Sequence, residues 1–170
     1  VATTSSNTSV TVTDDTTLPT ISSVTSSTSD GTYKVGDAVN VQVVFSEAVV
    51  VTTAGGTPKL TVETGTTDRA VSYASGSESN TLVFAYTVQA GDVSSDLDYA
   101  STSALALSGG AIKDLAGNTA TITLNDPSAG STTNSIADTK AIVIDGVIPT
   151  ISSAAANGGS KTITLTMSEA

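Results

Sequence analysis

Cysteine, histidine and tryptophan are missing from this 170-residue chain. Their absence excludes disulfides, zinc sites of the usual Cys/His kind, and hydrolytic pairs in which imidazole activates a thiol or hydroxyl. Aromatic residues are scarce at 4%, and the strand pattern puts most of Tyr33, Phe45, Tyr73, Phe84, Tyr86 and Tyr99 in a core. Sugar-stacking platforms are therefore not expected, and paired carboxylates acting as a glycosidase would need both a cleft and such platforms. Basic residues are few, 6 against 16 acids, for a net charge of −10. No basic stripe exists to meet nucleic acid or an anionic membrane surface. No apolar run is long enough for membrane insertion, and residues 1–30 carry no basic-then-apolar leader, so an export address is expected outside these residues. Neither a G-x-S-x-G elbow nor phosphate-loop spacing occurs, which points away from an enzyme.

What the chain does contain is serine and threonine, about a third of it, laid over a strict two-residue alternation. "VNVQVVF" puts Val39, Val41, Val43 and Phe45 on one face, and "TLVFAYTV" does so with Leu82, Phe84, Tyr86 and Val88. "KLTVE", "RAVSYA", "TITL" and "AIVI" repeat the pattern. Turn signals such as "SDG", "AGG", "SGSESN" and "AGN" separate the runs. No stretch sustains a helical period. Many short strands joined by Gly/Ser/Asn/Asp turns predict an all-β, antiparallel, Ig-like β-sandwich in preference to an up-and-down barrel or a solenoid.

The chain also repeats a phrase. "DTTLPTISS" begins at Asp15 and "DGVIPTISS" at Asp145, so that Thr150 follows Thr20 by 130 residues. "NVQVVFSEA" (Asn40–Ala48) is echoed by "KTITLTMSEA" (Lys161–Ala170), with Ile163, Leu165 and Met167 at the alternating positions of Val41, Val43 and Phe45. Such an echo marks module boundaries in a tandem array. Residues 1–14 are then the last strand of a preceding module or a tail, residues 15–145 a complete module, and residues 146–170 the first two strands of a following one. Pro19 and Pro149 make each junction short and stiff.

Counting strand directions from the linker gathers Asp14, Asp15, Glu47, Asp114 and Asn118 at one pole. Asp145 and Glu169 repeat the arrangement at the next joint. Crowded carboxylates repel unless a cation sits among them, and Ca²⁺ accepts six to eight oxygens from loop carboxylates and carbonyls. The alternative is a set of solvated turn acids. A second acidic stretch, "GDVSSDLDYA" (Asp92, Asp96, Asp98), resembles a calcium loop but lacks the twelve-residue spacing and closing Glu; it reads as an acidic turn at the far pole. Lys113 and Asn118 lie close enough in sequence to raise an intramolecular isopeptide bond, but nothing indicates the shielded setting that bond requires.

Taken together, "YKVGDAVNVQVVFSEAV", "YTVQAGD" and "GGAIKDLAGN" closely resemble the bacterial Ig-like repeats of giant secreted adhesins and other large surface proteins, over nearly the whole of residues 15–145. The resemblance implies an extracellular extender that spaces a binding domain from the cell surface. It also implies Ca²⁺ held by Asp15, Glu47, Asp114 and Asn118. Two features depart from the pattern: "DGVIPT" stands where the repeats more often have a D-x-T-x-P run, and "NDPSAGSTTNSIADTK" is a long insertion before the last strand. The expected partners are neighbouring Ig-like modules or identical chains. A filament or sheath subunit that donates strands between chains is the alternative, and a carbohydrate-binding module shares the fold but lacks the exposed aromatics.

Overall fold

The computed structural model describes residues 14–129 and 134–169. Strands make up 47% of the described residues and helix 5%, and the fold is all-β. A curled seven-stranded sheet contains β1 (Ile21–Ser26), β3 (Ala38–Thr52), β4 (Lys59–Val62), β5 (Arg69–Ser75), β6 (Ser79–Thr87), β8 (Leu105–Ala106) and β9 (Ala111–Asp114). Its order is β1-β3-β6-β5-β4-β8, with β9 also paired to β3. A three-stranded sheet, ordered β2-β10-β7, is formed by β2 (Gly31–Lys34), β7 (Val93–Ser94) and β10 (Ile142–Asp145). β11 (Ile151–Asn157) and β12 (Thr162–Met167) pair only with each other.

The alternation explains the core. Val39, Val41, Val43 and Phe45 of β3, Leu82, Phe84 and Tyr86 of β6, and Ile142 and Ile144 of β10 are all buried in one cluster with Leu60 and Val62 of β4. Successive residues of a strand point to opposite faces, so a period-2 apolar run delivers a single face to the interior. Each such side chain contributes about 1.5–3 kcal/mol by leaving water.

Five features differ from the sequence expectation. The sheets are not wholly antiparallel: β10 runs parallel to β2, Ile142 opposite Gly31 through Asp145 opposite Lys34. The first strand changes sheets after Ser26, β1 pairing with β3 and β2 with β10. Strand β3 does not stop at "FSEA" but continues to Thr52. Its register with β6 slips between Val44 and Val49, and its last residues, Val49–Thr52, pair with β9. "TITL" forms no strand, although Leu124 is buried. "LDYASTSALAL" is mostly turn, reduced to β8 and a single bridge between Tyr99 and Val62. In these last two segments apolar residues are buried without a continuous ladder beside them.

The inserted stretch before β10 has a structural role that its composition did not reveal. It holds a one-turn helix α1 (Ile136–Thr139) whose Ile136 is fully buried, and the Asn134 carbonyl accepts from Val24 N–H (2.8 Å). The insertion thus covers the outer edge of β1, a strand edge that would otherwise be open to pairing.

Candidate metal centre at the near pole

The site is assembled from three segments of chain. Asp15 precedes β1, Glu47 sits in the slipped part of β3, and Asp114 ends β9. The turn Asp114–Asn118 is tight: Asn118 N–H donates to Asp114 Oδ1 (2.7 Å), Asp114 N–H donates to the Asn118 carbonyl (3.0 Å), and Gly117 has φ +100°. Pairing of Val49 with Asp114 brings this turn alongside the bend that carries Glu47. The linker is fastened to the same bend, because Ser46 N–H donates to the Thr20 carbonyl (2.8 Å) and Thr20 N–H to Ser46 Oγ (3.1 Å).

As a result, one carboxylate oxygen from each of Asp15, Glu47 and Asp114 lies within 4.8 Å of the others. Oxygens bound to Ca²⁺ at 2.3–2.6 Å can stand up to about 5 Å apart across the ion, so the spacing suits that cation, with carbonyls and water completing the shell. Neither ion pair found among the described residues involves the trio. Glu47 registers the crowding: partial burial, then the charges of Asp15 and Asp114, push its carboxyl above the usual range. Burial also pushes on Asp114, but hydrogen bonds from Asn118 and the turn's N–H groups outweigh it and hold that carboxyl low.

Asn118 takes a different part from the one expected. Its Nδ2 donates to Asp114 Oδ2 (2.8 Å) and to the Asp15 carbonyl (2.8 Å), so it ties the two acidic segments together, with its donor facing them. Asp14 is exposed and stands outside the trio. Asp145 and Glu169 line one cavity of about 310 Å³ with Lys34, Val35, Ile148 and Pro149. Glu169 Oε1 is shielded there without a hydrogen-bond partner. No counterpart of Asp114 joins this pair among the described residues.

Two acids of the second acidic stretch are engaged within the protein. Asp92 is buried and receives Arg69 Nε (2.7 Å), Tyr86 OH (2.7 Å) and Gln89 N–H (3.0 Å). Asp98 accepts from the N–H groups of Tyr99 (2.8 Å) and Ile136 (3.2 Å), anchoring the inserted helix, while burial pushes its carboxyl up. The Lys113–Asn118 pairing has no shielded setting, since Lys113 is exposed and the Asn118 amide is engaged elsewhere.

Sequence reasoning passed over two contributors. Ser46 fastens the linker, and the shared "SEA" of the two echoed runs was its signal. Arg69 gave none, because its partner is remote in the chain. Among the described residues no helix is long and apolar enough to cross a membrane. No family model, no curated protein and no solved structure matches the chain.

Proposed function

We propose that the protein is a structural, non-catalytic extender of an extracellular bacterial surface protein, an Ig-like β-sandwich module (15–145) followed by the opening strands of a second (146–170). The supporting observation is that the pairing of β11 with β12 repeats that of β1 with β3 in register and bulge. Ile21 pairs with Phe45 and a bulge precedes Ser23 opposite Val44; Ile151 pairs with Met167 and a bulge precedes Ser153 opposite Thr166. Ser168 N–H donates to the Thr150 carbonyl (2.8 Å) and Thr150 N–H to Ser168 Oγ (2.9 Å), as Ser46 and Thr20 do. Bulges with matching register and matching side-chain ties are features of one repeated unit.

Calcium at Asp15, Glu47 and Asp114 stiffens the joint by drawing the linker onto β3 and β9. Binding to the folded state alone raises the melting temperature, by about 3–5 °C at a tenfold excess of calcium over its Kd. Calorimetry in calcium and in a chelator checks this; identical melting curves would rule out the calcium. Replacing Glu47→Gln removes one of three crowded charges. The variant is expected to melt higher than the parent in chelator and to lose most of its response to calcium. A full calcium response in Glu47→Gln would place the ion elsewhere.

The filament alternative is favoured by one observation, the bare apolar face of β11–β12, where Ile151, Ile163, Leu165 and Met167 are 59%, 73%, 53% and 44% exposed. Sedimentation at rising concentration tests it, and a strictly monomeric chain rules it out.

A further inference from the structure

At three places an Asp or Asn is followed directly by glycine: Asp30–Gly31, Asp145–Gly146 and Asn157–Gly158. In each, the side-chain carbonyl carbon can close a five-membered ring onto the glycine nitrogen. Glycine has no Cβ to shield that nitrogen or restrict its backbone, so ring closure meets the least resistance there. Closure also needs the N–H free to turn toward the carbonyl, and a hydrogen bond from it holds it away. Two of the three are held. Gly31 N–H donates to the Ala141 carbonyl (3.0 Å), and Gly146 N–H donates to the Asp92 carbonyl (2.7 Å). Gly146 is also wedged, because a Cβ there would stand 2.3 Å from the Gln89 carbonyl oxygen. Its main chain has no room to rotate.

Asn157 stands differently. It ends β11, and Gly158 opens the exposed turn that leads to β12. Among the described residues nothing accepts a hydrogen bond from Gly158 N–H, and a Cβ there would meet nothing within 4 Å. The Asn157 side chain is folded over the turn. Its Oδ1 accepts from Gly159 N–H (3.0 Å) and Ser160 N–H (3.3 Å). Two donors on this oxygen draw electrons from Cγ and are in place to stabilise the negative charge that gathers on the oxygen during attack. An amide carbon is also a better electrophile than the carboxylate carbon of Asp30 or Asp145. The three Gly-preceding sites thus look alike in the sequence, and the fold leaves one of them open.

We propose that Asn157 is a self-modifying site. The Gly158 nitrogen bonds to Asn157 Cγ and gives up its proton, the bond from Cγ to the amide nitrogen breaks, and ammonia leaves with that proton. The product is a succinimide ring. Water then opens the ring at either carbonyl and leaves an aspartyl or isoaspartyl residue; nothing is oxidised or reduced. Both products add a negative charge at the hairpin tip. The isoaspartyl form also routes the main chain through the side-chain carbon, lengthening it where Asn157 pairs with Thr162. The β11–β12 turn therefore loosens with age, while Asp30 and Asp145, beside β2 and β10, are guarded from the same chemistry. The test uses the full chain, incubated in mildly alkaline buffer with and without urea. Tryptic cleavage after Lys140 and Lys161 gives one peptide, 141–161, that carries both Asp145 and Asn157. Mass spectrometry with fragmentation follows amide loss and isoaspartate along it. In the folded chain, amide loss at Asn157 is expected to run several-fold faster than at any other asparagine, with isoaspartate at positions 30 and 145 accumulating only in urea. Gly158→Ala, at an open position, is expected to slow the loss several-fold with an unchanged melting temperature. An intact Asn157 amide in the folded chain that is lost in urea would overturn the proposal. An unchanged rate in Gly158→Ala would overturn the ring-closure mechanism, and equal isoaspartate at position 145 with and without urea would overturn the protection by the fold.

Discussion

Gly56→Ala is expected to lower stability by about 3–5 kcal/mol, enough to take the melting temperature down by about 10–15 °C. Two glycine loops, Gly55–Gly56 after β3 and Gly109–Gly110 before β9, meet backbone to backbone. A Cβ on Gly56 would stand 1.9 Å from the Ser108 carbonyl oxygen, and one on Gly110 would stand 2.5 Å from that of Gly56. The obstructing atoms are main chain, so no side chain can swing aside. Gly56 also has φ +151°, where an L side chain is strained. Gly36→Ala is the control: its φ is +90° but nothing lies within 4 Å of its Cβ, so it carries backbone strain without collision. Circular dichroism melts of the two variants decide the matter. If Gly56→Ala melts no lower than Gly36→Ala, the loops do not interlock. The consequence reaches the candidate metal centre, because Gly110 leads directly into β9 and β9 ends in Asp114.

Asp92→Ala carries the next largest expected loss, about 2–3 kcal/mol, from leaving the buried Tyr86 hydroxyl without its acceptor and opening a small void. The Arg69 guanidinium adds little, since it retains access to water. Tyr86→Phe removes one hydrogen bond and keeps the carboxylate, and is expected to cost about 1 kcal/mol. Chemical denaturation of both variants gives the comparison; equal losses would mean that Asp92 acts only through Tyr86. The node also has an acid signature. Burial alone would push the Asp92 carboxyl up, but bonds from Arg69, Tyr86 and Gln89 N–H outweigh it and hold it below the usual range. A carboxyl lowered in the folded state stabilises fully above its unfolded pKa of about 3.9, and that stability is lost as pH falls through the lower folded value. Asp92→Asn is expected to show a shallower loss of stability below about pH 4 than the parent. An unchanged acid limb would assign the dependence to other carboxyls.

Alternation was enough to identify β3, β4, β5, β6 and β10, because one buried face imposes a period of two on any strand. It failed at "TITL", where Ile122 and Leu124 alternate but no neighbouring ladder receives them. The gathering of Asp15, Glu47 and Asp114 could be anticipated from strand counting, since each pass of an antiparallel chain returns to the same end. The separation of Asp92 from Asp96 and Asp98 could not. All three look alike in the sequence, yet one is buried on Arg69, one is exposed, and one holds the N–H groups at the start of an inserted helix.

The chain by itself determined that the protein is all-β and which residues fill the core, because these follow from residue type and spacing along one strand. Only the tertiary structure decided that β2 lies parallel to β10, that β3 bends past Glu47 to reach β9, and that Asp92 closes on Arg69. Hydrogen-bond partners in a sheet come from remote parts of the chain, and the pattern within a strand records which face is buried but not which strand lies beside it.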